Sequence, residues 1–271
     1  MTNSTIIVFF VHNSKQHKDL KVIYTTPHQV NSPNMSIYSY HLVKLPFAAA
    51  LSILFFPIKS KKITGLIHAE TMSAMVLGSS IFSWSRIFNR EIVVFAQWEN
   101  ENYLNDFLLS NSKGRQLAKG WHIRLAFIRQ WGRISGFQIP KLESAAYNEN
   151  NPVVAVTIAR MNYTQIPRFL RWGRPVEKQV RDDSGTTLSL ASIRYPNIIS
   201  TFSIWKTQKA MTDMVHGHSK MPQPKRHINA MKERDRKDFH FEFTTLRFKP
   251  LSEHGAWNKK SNYVPDNTEA A

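Results

Sequence analysis

The sequence predicts an α+β fold in which two tandem ferredoxin-like (βαββαβ) repeats pack as a fused, dimeric α+β barrel. Two alignments within the chain carry this reading. "GSSIFSWSRIFNREIVVFAQW" (78–98) aligns without a gap with "GTTLSLASIRYPNIISTFSIW" (185–205), 107 positions later. Five of the 21 columns are identical, Gly78/Gly185, Ser85/Ser192, Ile92/Ile199, Phe95/Phe202 and Trp98/Trp205, where chance gives roughly one or two. Farther on, "WHIRLAFIR" (121–129) aligns with "FHFEFTTLR" (239–247), now at an offset of 118. Both alternate apolar and polar, as half-buried strands do. A period this long is a domain duplication and not a solenoid. One four-stranded sheet with helices on one face leaves the other face bare; two such sheets closed together bury both faces and protect the edges.

The elements follow in order. Residues 1–36 hold a strand-like run (Thr5–Val11) and then a polar stretch with Pro27, Asn31 and Pro33, the composition of a partly disordered extension. Repeat 1 spans 37–137. It contains the apolar run Phe47–Ile58, a helix-like stretch around His68-Ala69-Glu70, a helix through Leu104, Asp106 and Phe107, and the strand 121–129. Residues 138–152, "QIPKLESAAYNENNP", form a linker. Repeat 2 spans 153–257 and reads strand Val153–Met161, helix Thr164–Arg181 bent at Pro175, strands Thr186–Tyr195 and Ile198–Trp205, helix Thr207–Val215 and strand Phe239–Phe248. The stretch between the last two is 11 residues longer than its counterpart in repeat 1 and carries His216, His218 and His227. Pro224 starts a helix over Lys225–Asp238. Residues 258–271 are a flexible tail.

At 271 residues and 42% hydrophobic, with Phe 17 and Trp 7, the chain can bury a real core. It has no cysteine. That excludes disulfides, cysteine zinc sites, thiol nucleophiles, covalent haem attachment and a thiolate-held haem, and fits a reducing cytoplasm. The net charge of +17 attracts polyanions, nucleic acid or an anionic membrane face. The runs Thr5–Val11 and Phe47–Ile58 are too short to span a bilayer, so the expected location is cytoplasmic or peripheral to the inner membrane. An RNA-binding sheet would show a Lys/Arg-Gly-Phe/Tyr-Gly/Ala-Phe run, which is absent, and barrel closure would bury its binding face, so no nucleic-acid partner is expected. His-Glu-x-x-His, Gly-x-Ser-x-Gly, P-loop and Rossmann fingerprints are also absent. His68-x-Glu70 has the spacing of a facial iron triad but reads as a solvated pair.

On the helix over 225–238, His227 and Met231 share a face (i, i+4) with Ile228 beside them. That suits an axial haem ligand, and equally an ordinary hydrogen-bonded histidine. The run "FSIW…His227-INA…F…F…LRFKPLSEHGAW", with "GSS" at 78–80 and "VAVTIAR" at 154–160, resembles the spheroidene monooxygenase family of carotenoid 2-ketolases, related to the chlorite dismutase and aldoxime dehydratase haem barrels. The resemblance covers about 40–257. It implies haem b, dioxygen, reduced ferredoxin as electron donor, and an acyclic carotenoid as substrate. It also implies His227 as the iron ligand, the family's histidine standing about 20 residues before the "RF" of the last strand, with His216 or His218 as alternatives. Met231 and Trp205 are the further cofactor contacts expected. Without a thiolate, oxygen activation needs donors on the other side of the iron, for which Arg160, Arg194 and Ser192 are the candidates. Phe202, Trp205, Phe239, Phe241 and Phe243 are the candidates for lining an apolar tunnel, with ordinary core packing as the favoured reading for most of them. The basic stretch Lys225, Arg226, Lys232, Arg234, Arg236 and Lys237 is a solvated face, a dock for acidic ferredoxin, or a contact with anionic lipid. A cofactor-free or other small-molecule-binding barrel is the alternative function.

Overall fold

A computed structural model describes residues 36–77, 90–139 and 147–265. The arm 1–35, the aligned residues Gly78 and Ser85, part of the linker (140–146) and the end of the tail (266–271) lie outside the described residues.

Repeat 1 runs β1 (Ile37–Lys44), α1 (Phe47–Phe55), β2 (Leu66–Met75), β3 (Glu91–Trp98), α2 (Glu101–Ser110), α3 (Ser112–Leu117) and β4 (Trp121–Arg133). Repeat 2 runs β5 (Val153–Met161), α4 (Ile166–Asp182), β6 (Thr186–Arg194), β7 (Ile198–Trp205), α5 (Gln208–Val215), α6 (Arg226–Arg236) and β8 (His240–His254). The eight strands close into one barrel in the order β1-β3-β2-β6-β7-β5-β8-β4. Each repeat supplies four neighbours in equivalent order, β4-β1-β3-β2 and β8-β5-β7-β6, every pair antiparallel. The seams between repeats are unequal. β4 and β8 pair from His122/His254 to Arg133/Phe243, whereas β2 and β6 pair only over Ser73–Met75 and Ala191–Ile193. The fold is therefore the fused α+β barrel that the internal alignment predicts.

Strand alternation sorts the side chains. Tyr38, Tyr40, Met72, Phe95, Trp121, Val156, Ile158, Phe202, Leu246 and Phe248 from strands all round the barrel meet in one interior cluster. The rings interlock closely there: Tyr40 lies 3.9 Å from Phe202 and Tyr38 4.9 Å from Phe248, centroid to centroid. Opposite-facing residues pack beneath the helices, Ile92, Val94 and Trp98 under α2, and Trp205 with Met211 and Met214 under α5. The repeated Phe-x-x-Trp is thereby explained. Three residues apart on a strand means opposite faces, so Phe95 and Phe202 fill the barrel while Trp98 and Trp205 each anchor a helix. Each indole N–H donates to a serine hydroxyl, Trp98 to Ser39 at 2.9 Å and Trp205 to Ser203 at 2.8 Å.

That alternation also rules out the candidate tunnel. Of the five aromatics, Phe202 faces the interior. Trp205 lies under α5, Phe239 and Phe243 pack beside Phe169 on the outer face, and Phe241 is 60% exposed. They do not share one channel.

Candidate active site

The inward-facing positions of β2, β5 and β6 change from apolar to charged at one end of the barrel. On β2, Met72 faces the core, and two residues earlier Glu70 is completely buried. On β5, Ile158 is followed at the same parity by Arg160; on β6, Leu190 is followed by Ser192 and Arg194. The three strands bring these groups together around one carboxylate. Glu70 Oε1 lies 3.0 Å from His68 Nε2 and 3.1 Å from Arg160 Nη2, and its Oε2 lies 2.8 Å from Arg194 Nη1. Arg160 also pairs with Glu242 on β8, which accepts from the Ser135 amide at 3.2 Å and hydroxyl at 3.1 Å.

Burial works to raise the pKa of Glu70, but the His68 hydrogen bond and the charges of Arg194 and Arg160 together outweigh it and hold the carboxyl below the usual glutamate range. An ionised carboxylate can only accept, so His68 donates from Nε2. Segment 134–139 closes over this end. Phe137 meets the His68 ring edge-on at 4.5 Å. Gly136, at φ +99°, crosses the same ring so closely that a Cβ would stand 2.4 Å from Cε1 and 2.6 Å from Nδ1. Gln97 straps the segment down, its side chain bonding both the amide (2.8 Å) and the carbonyl (2.5 Å) of Gln138. Deeper in, Ser192 turns its hydroxyl to Met72 Sδ at 3.3 Å beside Tyr40, whose phenol burial keeps protonated.

Arg160 and Arg194 are thus brought together by Glu70, a residue whose part the sequence reading missed, while Ser192 lies deeper, against Met72. The His68-x-Glu70 signal was visible; reading the stretch as helical put the two side chains apart, whereas in a strand i and i+2 share a face.

His227 stands elsewhere, half-buried on α6 in the outer layer. Its Nδ1 donates to the Val215 carbonyl at 3.1 Å. Burial lowers its pKa against the raising effect of that bond, and the neighbouring His216 lowers it further, so the ring is neutral. Helix α6 is clamped to α4: Arg168 reaches Glu233 Oε1 and the carbonyls of Glu233 and Lys237, each at 2.7 Å, and Gln179 reaches the Pro224 carbonyl at 2.9 Å. A groove of about 350 Å3 opens beside them, lined by Leu170, Arg171, Arg174, Pro175, Lys178 and Arg226. Met231 is half-buried one turn beyond His227, while Trp205 belongs to the α5 contact. His216 and His218 lie 6.3 Å apart, ring to ring. The strand layer separates His227 from the inward-facing Arg160, Arg194 and Ser192. These three cannot act as donors across an iron held on α6.

The residues at α6 fit a haem iron in donor chemistry and in charge. A neutral imidazole with its Nδ1 proton held by a carbonyl leaves Nε2 as the ligating atom, and the basic groove suits carboxylate substituents. Phe169, Trp172 and Val180 pack against the outer face of the sheet on the α4 side, so a planar ring entering there has to displace them. Among the described residues no group of three or more His, Cys, Asp or Glu side chains is arranged to hold a metal ion.

No protein-family model and no curated protein matches this chain. Solved structures do resemble it. An aldoxime dehydratase in complex with butyraldoxime superposes with a TM-score of 0.51 at 8% identity, covering 82% of this chain and 81% of that one. A second aldoxime dehydratase gives 0.48 at 9% identity over 86% and 88%. An anthrone oxidase-like protein gives 0.31 at 11% identity over 85% and 96%. At such identities the likeness is one of fold, the α+β barrel.

Proposed function

We propose that this chain is an oxidoreductase of the monooxygenase type that carries haem b on His227 and oxidises an acyclic carotenoid with dioxygen and electrons from reduced ferredoxin. The observation that carries the reading is the half-buried, neutral His227, its Nδ1 fixed on Val215, on the helix whose Arg226 lines a basic groove. The similarity to the aldoxime dehydratase structure, and the resemblance to carotenoid ketolases, support an enzyme of this class.

Bound haem would supply the centre at which dioxygen is activated. The chain's own groups do the rest. The Val215 carbonyl keeps the His227 proton on Nδ1 and leaves the lone pair on Nε2. Arg171, Arg174, Lys178 and Arg226 would neutralise the haem propionates. Met231, half-buried one turn beyond His227, would help exclude water. The exposed basic residues on and just after α6, Lys232 and Lys237 among them, present positive charge to an acidic electron donor. The test is turnover: protein reconstituted with haem b, given reduced ferredoxin, oxygen and an acyclic carotenoid, yields a ketone on the chain end. Absence of product with a fully loaded protein refutes the substrate.

A second reading has its own observation. Glu70 orients His68 at the barrel mouth as a carboxylate orients a general base, which suits cofactor-free chemistry on a small molecule bound there. It predicts activity in haem-free protein that His68→Ala abolishes and His227→Ala leaves intact.

A further inference from the structure

Helix α1, "FAAALSILF", is apolar on every side save Ser52, yet buries only Ala50 and Ile53. A helix hydrophobic all round belongs in a core or against lipid. Here Phe55 is 75% and Phe56 70% exposed, adjacent in the chain and at the helix end. Exposed lysines follow at once, Lys59, Lys61 and Lys62, on a 3-10 turn at Ser60–Lys62. Lys113 joins them from α3, its ammonium bonded to the Phe56 carbonyl and close enough to Lys62 that, after burial, the charge of Lys62 helps lower its pKa. Residues 36 to 69 contain no acidic residue. A groove of about 490 Å3 continues this surface at the other end of α1, with Leu45, Pro46, Ala49 and Trp257 as apolar walls and Lys44 and Lys119 also lining it.

We infer that this surface docks the protein on an anionic lipid bilayer, Phe55 and Phe56 entering the acyl boundary and the lysines meeting headgroups. Charge selects the occupant. Two adjacent exposed rings with four lysines beside them complement a negatively charged apolar boundary, whereas a second copy of the same patch would set the lysines against one another. The inference does not depend on the haem reading, and it puts membrane contact at α1 and not on the basic helix α6.

Co-sedimentation of the full chain with vesicles of phosphatidylcholine containing 30% phosphatidylglycerol (about one lipid in three) tests it. Binding is expected, weakening steeply with salt and absent on pure phosphatidylcholine. Lys59→Ala/Lys61→Ala/Lys62→Ala should lower partitioning about a hundredfold, at roughly fivefold per lysine, and Phe55→Ser/Phe56→Ser at least tenfold. Lys232→Glu/Lys237→Glu on α6 should change it little. Equal binding to neutral vesicles, or loss of binding in the α6 variant with the α1 variants unaffected, overturns the inference. So does a dimer in solution that Phe55→Ser/Phe56→Ser dissolves without any effect on vesicles.

Discussion

Glu70 concentrates the residue-scale physics. A fully buried carboxylate is stable only because two guanidinium groups and an imidazole surround it. Glu70→Gln leaves Arg160 and Arg194 facing a neutral amide, and should cost about 3 kcal/mol, the low end of the range for a broken buried pair because Arg194 reaches solvent. Urea unfolding reads this directly, and an unchanged midpoint would contradict the ion-pair account. A second set of buried groups sets the acid limit. His41, His122 and His254 stack across β1, β4 and β8 at ring distances of 5.1 and 4.8 Å. Burial first, then the neighbouring histidine and Arg124, push His41 far down and His122 to about 4. Below about pH 6.5 the unfolded histidines take up protons that these native rings refuse, so stability falls as pH drops toward 4, by about 1.4 kcal/mol per unit for each. Glu70 adds to this lower down. Its native pKa is depressed, so its contribution is present above the ordinary glutamate range and lost as pH falls through it. Urea midpoints that stay level between pH 7 and 4.5 would rule this out.

At the scale of elements, the duplication was legible because its signature is a spacing. Phe95/Phe202 and Trp98/Trp205 each fill the same position in both halves, as do the strands that carry them, β3 and β7. Trp98→Phe and Trp205→Phe should each cost about 1–2 kcal/mol, the indole hydrogen bond plus part of the ring volume, and a large effect from one alone would break the equivalence. Helix α6 was equally readable, from Pro224 and the helix formers after it. Strand β2 was not. "LIHAETMSAM" is rich in helix formers, and sheet closure on both sides overrides that propensity. With β2 misread, Glu70 could not be seen as the partner of Arg160 and Arg194. Core packing, the favoured reading for most of the five aromatics, holds over a shared tunnel because residues alternating along strands take opposite faces.

For the whole molecule, one closed barrel offers two chemically different places, the acid–arginine mouth inside and the histidine shelf outside, with the strand layer between them. The net charge of +17 does not spread evenly. Arg168 is committed to Glu233, Arg160 and Arg194 to Glu70, and the lysines that follow α1, with Lys113 of α3, gather beside exposed phenylalanines. The central claim is that the half carrying the longer insertion grips iron through His227. The absorption spectrum of haem-reconstituted wild type beside His227→Ala, His216→Ala and His218→Ala tests it most directly. The account predicts a Soret band in wild type, His216→Ala and His218→Ala that His227→Ala loses; an intact band in His227→Ala would contradict it.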